Sequence, residues 1–522
     1  MVRVLALSLA APALAVSLRG DDEAKNKGPR RLAGHAATTY APIAGYYPAS
    51  NVDAHAAIDL DVADMDAALD ADNWDGPVHQ SPFPRAFRAR RPPRAFWAAY
   101  SEGGNSVKGE GFRTVRGFSK SLAGEATYDE YFAYHGNEKY ADDYVRAALW
   151  DRLADDSSAK ADPRPALFTG TTLTDAMAKQ MAMKGAVYQN TWIYALHELY
   201  SAIGKCESGN IADETGAPHA WDEGWAFYAG SLQTPAGSSG VLSYRLADKR
   251  CGNFQTCNAD EPAKTWRAAN DEQNSNVNAK LLNLYHAGLA AVRSSTASEA
   301  MDESEYRRLD GHDASGPDCA AAVDLTAEIV AQMTVPLIQG TLRYAWRSDP
   351  NGGGQTFSSD GEVLAEYHAF AYAALPRVAH CDAAAGEVLA ASMAIPTELT
   401  EASAATVVPG GFAAVKAALE STYSCLGITC ADVGGPLIHD GAPVAGMEAC
   451  DDGSTVNTRA EFFENPGAAD HGDEHGDEHG DEHEGDHGDE GGNVIADEES
   501  DGAASAGVAA LAAALAGAAM FA

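Results

Sequence analysis

A mainly helical, disulfide-stapled protein with two similar lobes is predicted by three observations. Apolar residues recur at helical spacing in most stretches, and few stretches alternate at period two. Eight cysteines, an even count, follow a leader-like N-terminus, which implies four disulfides in an oxidising compartment. Two segments also repeat each other about 150 residues apart. Met183-Lys-Gly-Ala-Val-Tyr-Gln-Asn-Thr-Trp-Ile-Tyr-Ala195 and Met333-Thr-Val-Pro-Leu-Ile-Gln-Gly-Thr-Leu-Arg-Tyr-Ala345 share five of thirteen residues. Downstream, Glu223-Gly-Trp-Ala-Phe227 returns as Glu366-Tyr-His-Ala-Phe370. The order of the two repeats suggests an internal duplication, with a first lobe over 51–300 and a second over 301–465.

Taken in order, Asn51 to Leu69 carries Ile58, Val62, Met65 and Leu69 at helical spacing, with Asp59, Asp61, Asp64 and Asp66 between them. That pattern reads as an amphipathic helix with a solvated acidic face. The Arg/Pro-rich stretch Phe83 to Arg94 reads as a loop, and a short helix from Ala95 should stop at Gly103 and Gly104. Further helices are expected over Asp129–Leu153, Leu173–Ile203, His219–Leu232, Val277–Arg293, Ala320–Trp346, Gly361–Ala374 and Phe412–Leu426. Pro336 should kink the helix that contains it. Cys251 with Cys257 and Cys425 with Cys430 are sequence-local disulfide candidates; zinc is the alternative use, but no C-x₂-C pair is present.

The ends read differently from the body. Met1-Val-Arg3 followed by the apolar run Val4 to Val16 has the form of a secretory signal over 1–16, too short to span a bilayer comfortably. Residues 17–50 are an N-terminal extension. Residues 466–501 form an acidic linker in which His471, His475, His479, His483 and His487 recur every four positions. It has too little apolar surface to offset chain entropy, so it should be disordered, as a spacer or a weak multivalent metal trap. The apolar tail 502–522 is a candidate lipid-anchor signal, with a short transmembrane helix or a disordered tail as alternatives.

The net charge of -38 excludes nucleic acid as a partner, since phosphate binding needs clustered cations. It favours cationic ligands or salty surroundings. Tyr194, His197 and Glu198 fall at i, i+3 and i+4 on one helix, offering phenol, imidazole and carboxylate suited to ferric iron. A packed aromatic helix with one buried histidine is the competing account. His197-Glu198 is not a zincin motif, because Ser201 stands where the second histidine belongs. His219, Asp222 and Glu223 form a second such face beside Trp221 and Trp225. Acids clustered with aromatics need pairing, hydrogen bonds or a metal; the alternative is an N-terminal helical turn whose acids suit the dipole. The repeat adds Tyr344, Glu366 and His368 as an opposing wall or a second metal site. No serine nucleophile elbow, phosphate loop or zincin helix is visible, so no catalytic residue is assigned.

Several stretches carry a family likeness: Ser101-Glu-Gly-Gly-Asn-Ser106, Tyr128-Asp-Glu-Tyr-Phe132 with Tyr140-Ala-Asp142, His219-Ala-Trp-Asp-Glu-Gly-Trp-Ala-Phe-Tyr-Ala-Gly230, Leu342-Arg-Tyr344, Ala374-Leu-Pro-Arg377 and Tyr423-Ser-Cys-Leu-Gly-Ile-Thr-Cys430. Together they resemble the algal low-iron-inducible periplasmic proteins, also called iron-assimilating proteins, over Ile58 to Gly435. The resemblance implies a secreted protein of the periplasm or cell surface that assists iron uptake. It also implies ferric iron held with a synergistic anion such as carbonate, and a plasma-membrane transporter or reductase downstream. An exported metal-dependent enzyme and a non-catalytic acidic surface protein are the alternatives.

Overall fold

The computed structural model describes residues 40–70, 92–153, 157–158, 160–233, 240–257, 275–293, 316–349, 360–400 and 408–454. The leader, most of the extension, most of the Arg/Pro stretch, the His-rich linker and the apolar tail lie outside those residues.

Sixteen helices and two short hairpins make up the described elements. In chain order the first are α1 (Asp53–Ala56), α2 (Ile58–Asp70), α3 (Pro92–Ser101), and the hairpin β1 (Val107–Lys108) and β2 (Gly111–Phe112). A 3₁₀ turn at Arg116–Phe118 leads to α4 (Ala126–His135), α5 (Tyr140–Leu149) and α6 (Asp175–Gly185). A π-helical turn at Ala186–Thr191 joins α6 to α7 (Trp192–Glu207), followed by α8 (Ala217–Ala229), α9 (Ser243–Phe254) and α10 (Asn276–Val292). The chain continues with α11 (Cys319–Ser348), α12 (Glu362–Cys381), α13 (Ala383–Ser392), α14 (Gly411–Glu420), α15 (Tyr423–Leu426) and α16 (Cys430–Val433). The second hairpin is β3 (Ile438–His439) with β4 (Ala442–Pro443).

Two antiparallel helix pairs, α7 with α8 and α11 with α12, are the most extensively packed, and α11 also lies on α7, α9 and α10. The core is therefore continuous across residue 300. Close approach of α11 to α12 depends on Gly340, where a Cβ would fall 2.6 Å from the Phe370 ring. Pro336 sits inside α11 and Pro376 inside α12 without ending either helix. Buried neighbours on both sides hold these segments helical despite the missing backbone donor.

Four expectations are corrected by the structure. The helix expected over 129–153 is two helices, because Gly136 adopts a left-handed C-cap (φ 63°) and ends α4. Helices α9 and α13 were not expected from apolar spacing at all. The acids of α2 do not share one solvated face: Asp59 and Asp61 are buried, while Asp64 and Asp66 are exposed. Asp59 accepts from Ser231 Oγ at 2.7 Å and Leu232 N at 2.6 Å, and Asp61 accepts from Asn105 Nδ2 at 2.8 Å. Finally, Cys425 and Cys430 do not pair with each other. Gly427 (φ 74°) turns the chain between α15 and α16, and the two cysteines reach Cys381 and Cys450 respectively. Cys251–Cys257 forms as expected.

Cys206–Cys319 closes the longest loop, 113 residues, and ties the end of α7 to the start of α11. A loop near that length restricts the unfolded chain by on the order of 4–5 kcal/mol. The same covalent frame fixes α7, which carries Tyr194 and Glu198 of the site described next.

Candidate metal centre

The site is assembled from three places in the chain. α1 brings His55, α7 brings Tyr194 and Glu198, and α8 brings His219 and Glu223. α8 can present its first turn there because Pro218 is tolerated at a helix start, where its missing N–H is not needed. One turn further on, Gly224 packs against α7, where an added Cβ would sit 3.1 Å from Leu199 and 3.2 Å from the Ala195 carbonyl.

His219 and Glu223 lie one helical turn apart and converge, with His219 Nε2 2.9 Å from Glu223 Oε1. From α1, His55 Nε2 reaches the same oxygen at 3.1 Å. One atom from each of the three side chains can be chosen so that all lie within 4.8 Å of one another. Two imidazole nitrogens and a carboxylate meeting at a point is a donor set that suits borderline transition metals. Glu198 lies beyond them, hydrogen-bonded to Glu223 and accepting from the Tyr194 hydroxyl. The Arg113 guanidinium, just past the first hairpin, touches His55 Nε2 and brings the cationic charge closest to that ring. Below the cluster, Tyr194 stacks on Phe118 at 3.9 Å and meets Phe227 edge-on at 5.2 Å.

Burial and mutual charge split the two carboxyls. Burial, and then the charge of Glu223, pushes Glu198 up to about 8, so it keeps a proton at neutral pH. Burial acts in the same direction on Glu223, but hydrogen bonds from His219 and His55 outweigh it and hold Glu223 well below the usual range. Burial lowers His55 despite its hydrogen bond to Glu223. Burial, then Glu198, raises Tyr194 far above an ordinary phenol. A single proton shared between two glutamates is the arrangement a metal cation can replace.

The other expected residues fall elsewhere. His197 turns away from Glu223 and pairs with Glu125 at 2.5 Å, with Lys120 on its second nitrogen at 3.3 Å. Asp222 lies on the flank of that face of α8, accepting from Tyr46 OH at 2.6 Å and from Ser50 Oγ at 2.7 Å. Tyr344 and Glu366 do meet, at 2.8 Å, and Tyr344 stacks on Phe370. Tyr194, by contrast, bonds Glu198 rather than Glu223 and meets Phe227 edge-on. Beside the Tyr344 and Glu366 pair, the Lys184 ammonium sits 2.9 Å from Glu366 Oε1, and Arg250, Arg343 and Arg347 lie within 5.6 Å of the Tyr344 ring. Lys184 outweighs the effect of burial and holds Glu366 below its ordinary value. His368 lies on another face of α12, hydrogen-bonded to Tyr144 OH at 2.9 Å, and burial lowers it to about 3.

His55 was missed by sequence reasoning, although it stands with Ala56 on the buried side of α1, in a stretch read for its apolar spacing and its acids. Glu198 was found through its spacing from Tyr194.

The fold and site thus define a disulfide-stapled helical protein carrying a two-histidine, two-glutamate cluster. Residues 95–310 match the family model described as low iron-inducible periplasmic protein. That description is consistent with a secreted, periplasmic or cell-surface place for this chain. The matched span includes Arg113, Tyr194, Glu198, His219 and Glu223, and it ends before Tyr344 and Glu366. No curated protein and no solved structure matches the chain.

Proposed function

We propose that this protein captures iron outside the cell for uptake, holding one ferric ion at His55, His219 and Glu223, with Glu198 as a further donor. The observation that carries this reading is the convergence of two imidazoles on one partly buried carboxylate oxygen. Each ring nitrogen faces that oxygen across hydrogen-bond distance, so a proton or a metal cation must lie between them. The carboxylates and the Tyr194 phenol supply hard oxygen donors, which favour the ferric state. Arg113, beside His55, is placed to face an anion such as carbonate sharing the ion. Delivery to a plasma-membrane transporter or reductase follows from the same reading. The pair Tyr344 and Glu366 takes no ion in this account, because Lys184 already supplies its cation.

A ferrous cargo is the second reading. Two histidines and one carboxylate suit iron(II), and Tyr194 holds its proton too firmly to become a phenolate ligand without a strong Lewis acid. Titration of the chain ending at Asn465 with ferric nitrilotriacetate, with and without bicarbonate, separates the two. A visible tyrosinate-to-iron band saturating at one equivalent, absent in Glu223→Ala, supports the ferric reading. Saturation only with anaerobic iron(II), and no band, supports the ferrous one. No saturable binding of either ion removes the metal-capture role from this cluster.

A further inference from the structure

His219 is held from behind by a chain of hydrogen bonds that reaches away from the metal cluster. Its Nδ1 lies 2.8 Å from Ser50 Oγ. Ser50 is fully buried and makes two further bonds, its backbone N–H donating to Asp222 Oδ2 at 2.9 Å and its hydroxyl to the same oxygen at 2.7 Å. Asp222 is also fully buried, and its other oxygen accepts from Tyr46 OH at 2.6 Å.

A serine hydroxyl has a single hydrogen, and here it is directed at Asp222. Ser50 Oγ then accepts from His219, so the ring carries hydrogen on Nδ1 and presents Nε2 to Glu223, 2.9 Å away. Without metal, Nε2–H donates to that carboxylate, and a bound ion takes the place of this proton. His55 has no counterpart to this support: its Nδ1 is buried without a hydrogen-bond partner among the described residues.

We propose that Ser50, anchored on Asp222, is a positioning residue of the metal centre: its hydroxyl fixes the tautomer and rotation of His219 so that Nε2 is delivered to the ion. The inference rests on the metal-capture reading of the His55, His219 and Glu223 cluster. It assigns a role to the acid at position 222, which spacing alone had offered as a ligand. Asp222 acts through the ring of His219 and does not touch the ion.

The test uses the full chain and zinc(II) as a diamagnetic probe, counting only the binding that Glu223→Ala removes, so that other histidines do not contribute. Nitrogen-15 spectra of histidine-labelled protein, with the His219 signal identified by its loss in His219→Gln, should show Nε2 bonded to zinc and hydrogen retained on Nδ1. Ser50→Ala should weaken this binding by about 10–100-fold, the usual consequence of losing an outer partner of a metal-bound histidine. Ser50→Thr, which keeps the hydroxyl, should restore most of it. A His219 ring bound through Nδ1, or a Ser50→Ala protein with unchanged affinity and spectrum, overturns the proposal. If Ser50→Ala does not fold, the wild-type spectrum alone decides. Failure of the metal reading looks different: His219→Gln and Glu223→Ala would then leave zinc affinity where it was.

Discussion

At the scale of single residues, the informative contrast is between Glu198 and Glu223, neighbours whose protons are held very differently. Glu198 keeps its proton to about pH 8 because burial and the Glu223 charge both disfavour a second anion. A metal bound at His55, His219 and Glu223 inverts that balance, since its positive charge favours the ionised form of Glu198. Metal uptake at pH 7 is therefore expected to release a proton from Glu198, and affinity should rise with pH up to about 8. Calorimetry in buffers of different ionisation enthalpy counts the protons. Glu198→Gln should release one fewer proton per ion than the wild type, and an equal count would show that Glu198 keeps its proton in the loaded protein. Glu223→Ala should abolish specific binding outright, because it removes the one oxygen that both imidazoles address.

At the scale of helices, spacing was legible and direction only partly so. Residues four apart, His219 with Glu223 and Tyr194 with Glu198, do point the same way and meet. The residues three apart, Asp222 from His219 and His197 from Tyr194, stay near their partners but take their hydrogen bonds from Ser50 and Glu125 outside the cluster, because a rotation of 300° leaves them on the flank of the face. His368, two from Glu366, lands on another side of α12 altogether. His55 could not be paired with His219 from sequence, since 164 positions and six intervening helices separate them and only tertiary packing joins them. The repeat offered Tyr344 and Glu366 as counterparts of Tyr194 and Glu223, but it could not foresee that Lys184, inside the first repeated segment, packs beside Glu366. That difference yields a prediction at this scale. Glu366→Ala strands the Lys184 ammonium in a mostly buried position and should destabilise the fold by about 3–5 kcal/mol, as broken buried pairs do. Metal affinity should stay unchanged. Denaturant unfolding and metal titration of the same variant test both halves, and a fall in affinity with intact stability would restore Glu366 as a ligand.

For the molecule as a whole, the titrating groups buried away from water predict how stability depends on pH. Burial lowers His135 to about 4, His286 to about 4 and His368 to about 3, and it lowers His55 as well. Unfolded histidines bind protons near 6.5, so below that value the unfolded chain takes up more protons at these positions and stability falls with acidification. Burial has the opposite sign for acids: Asp59 rises to about 6, Asp222 to about 7 and Glu198 to about 8. Those three hold protons that the unfolded chain has lost, which stabilises the fold at low pH and ceases to do so as pH rises through the folded values. Below pH 6 the two groups oppose each other, with the histidines in slight excess. Above 6.5 the histidine contribution fades, and Asp222 and Glu198 lower stability as they ionise, until Lys160, which burial brings down to about 8, begins to work the other way. Metal-free protein in chelator should therefore have its highest unfolding midpoint near pH 6.5 and lose stability towards pH 8. Glu198→Gln should flatten the alkaline side, since an amide stays neutral throughout. Saturating metal should reverse that side instead of flattening it, because the ion binds the ionised carboxylates and stabilises the fold in proportion to its affinity, which grows with pH. An alkaline limb that is unmoved both by Glu198→Gln and by metal would mean that the glutamate pair is not where the ion and the proton compete.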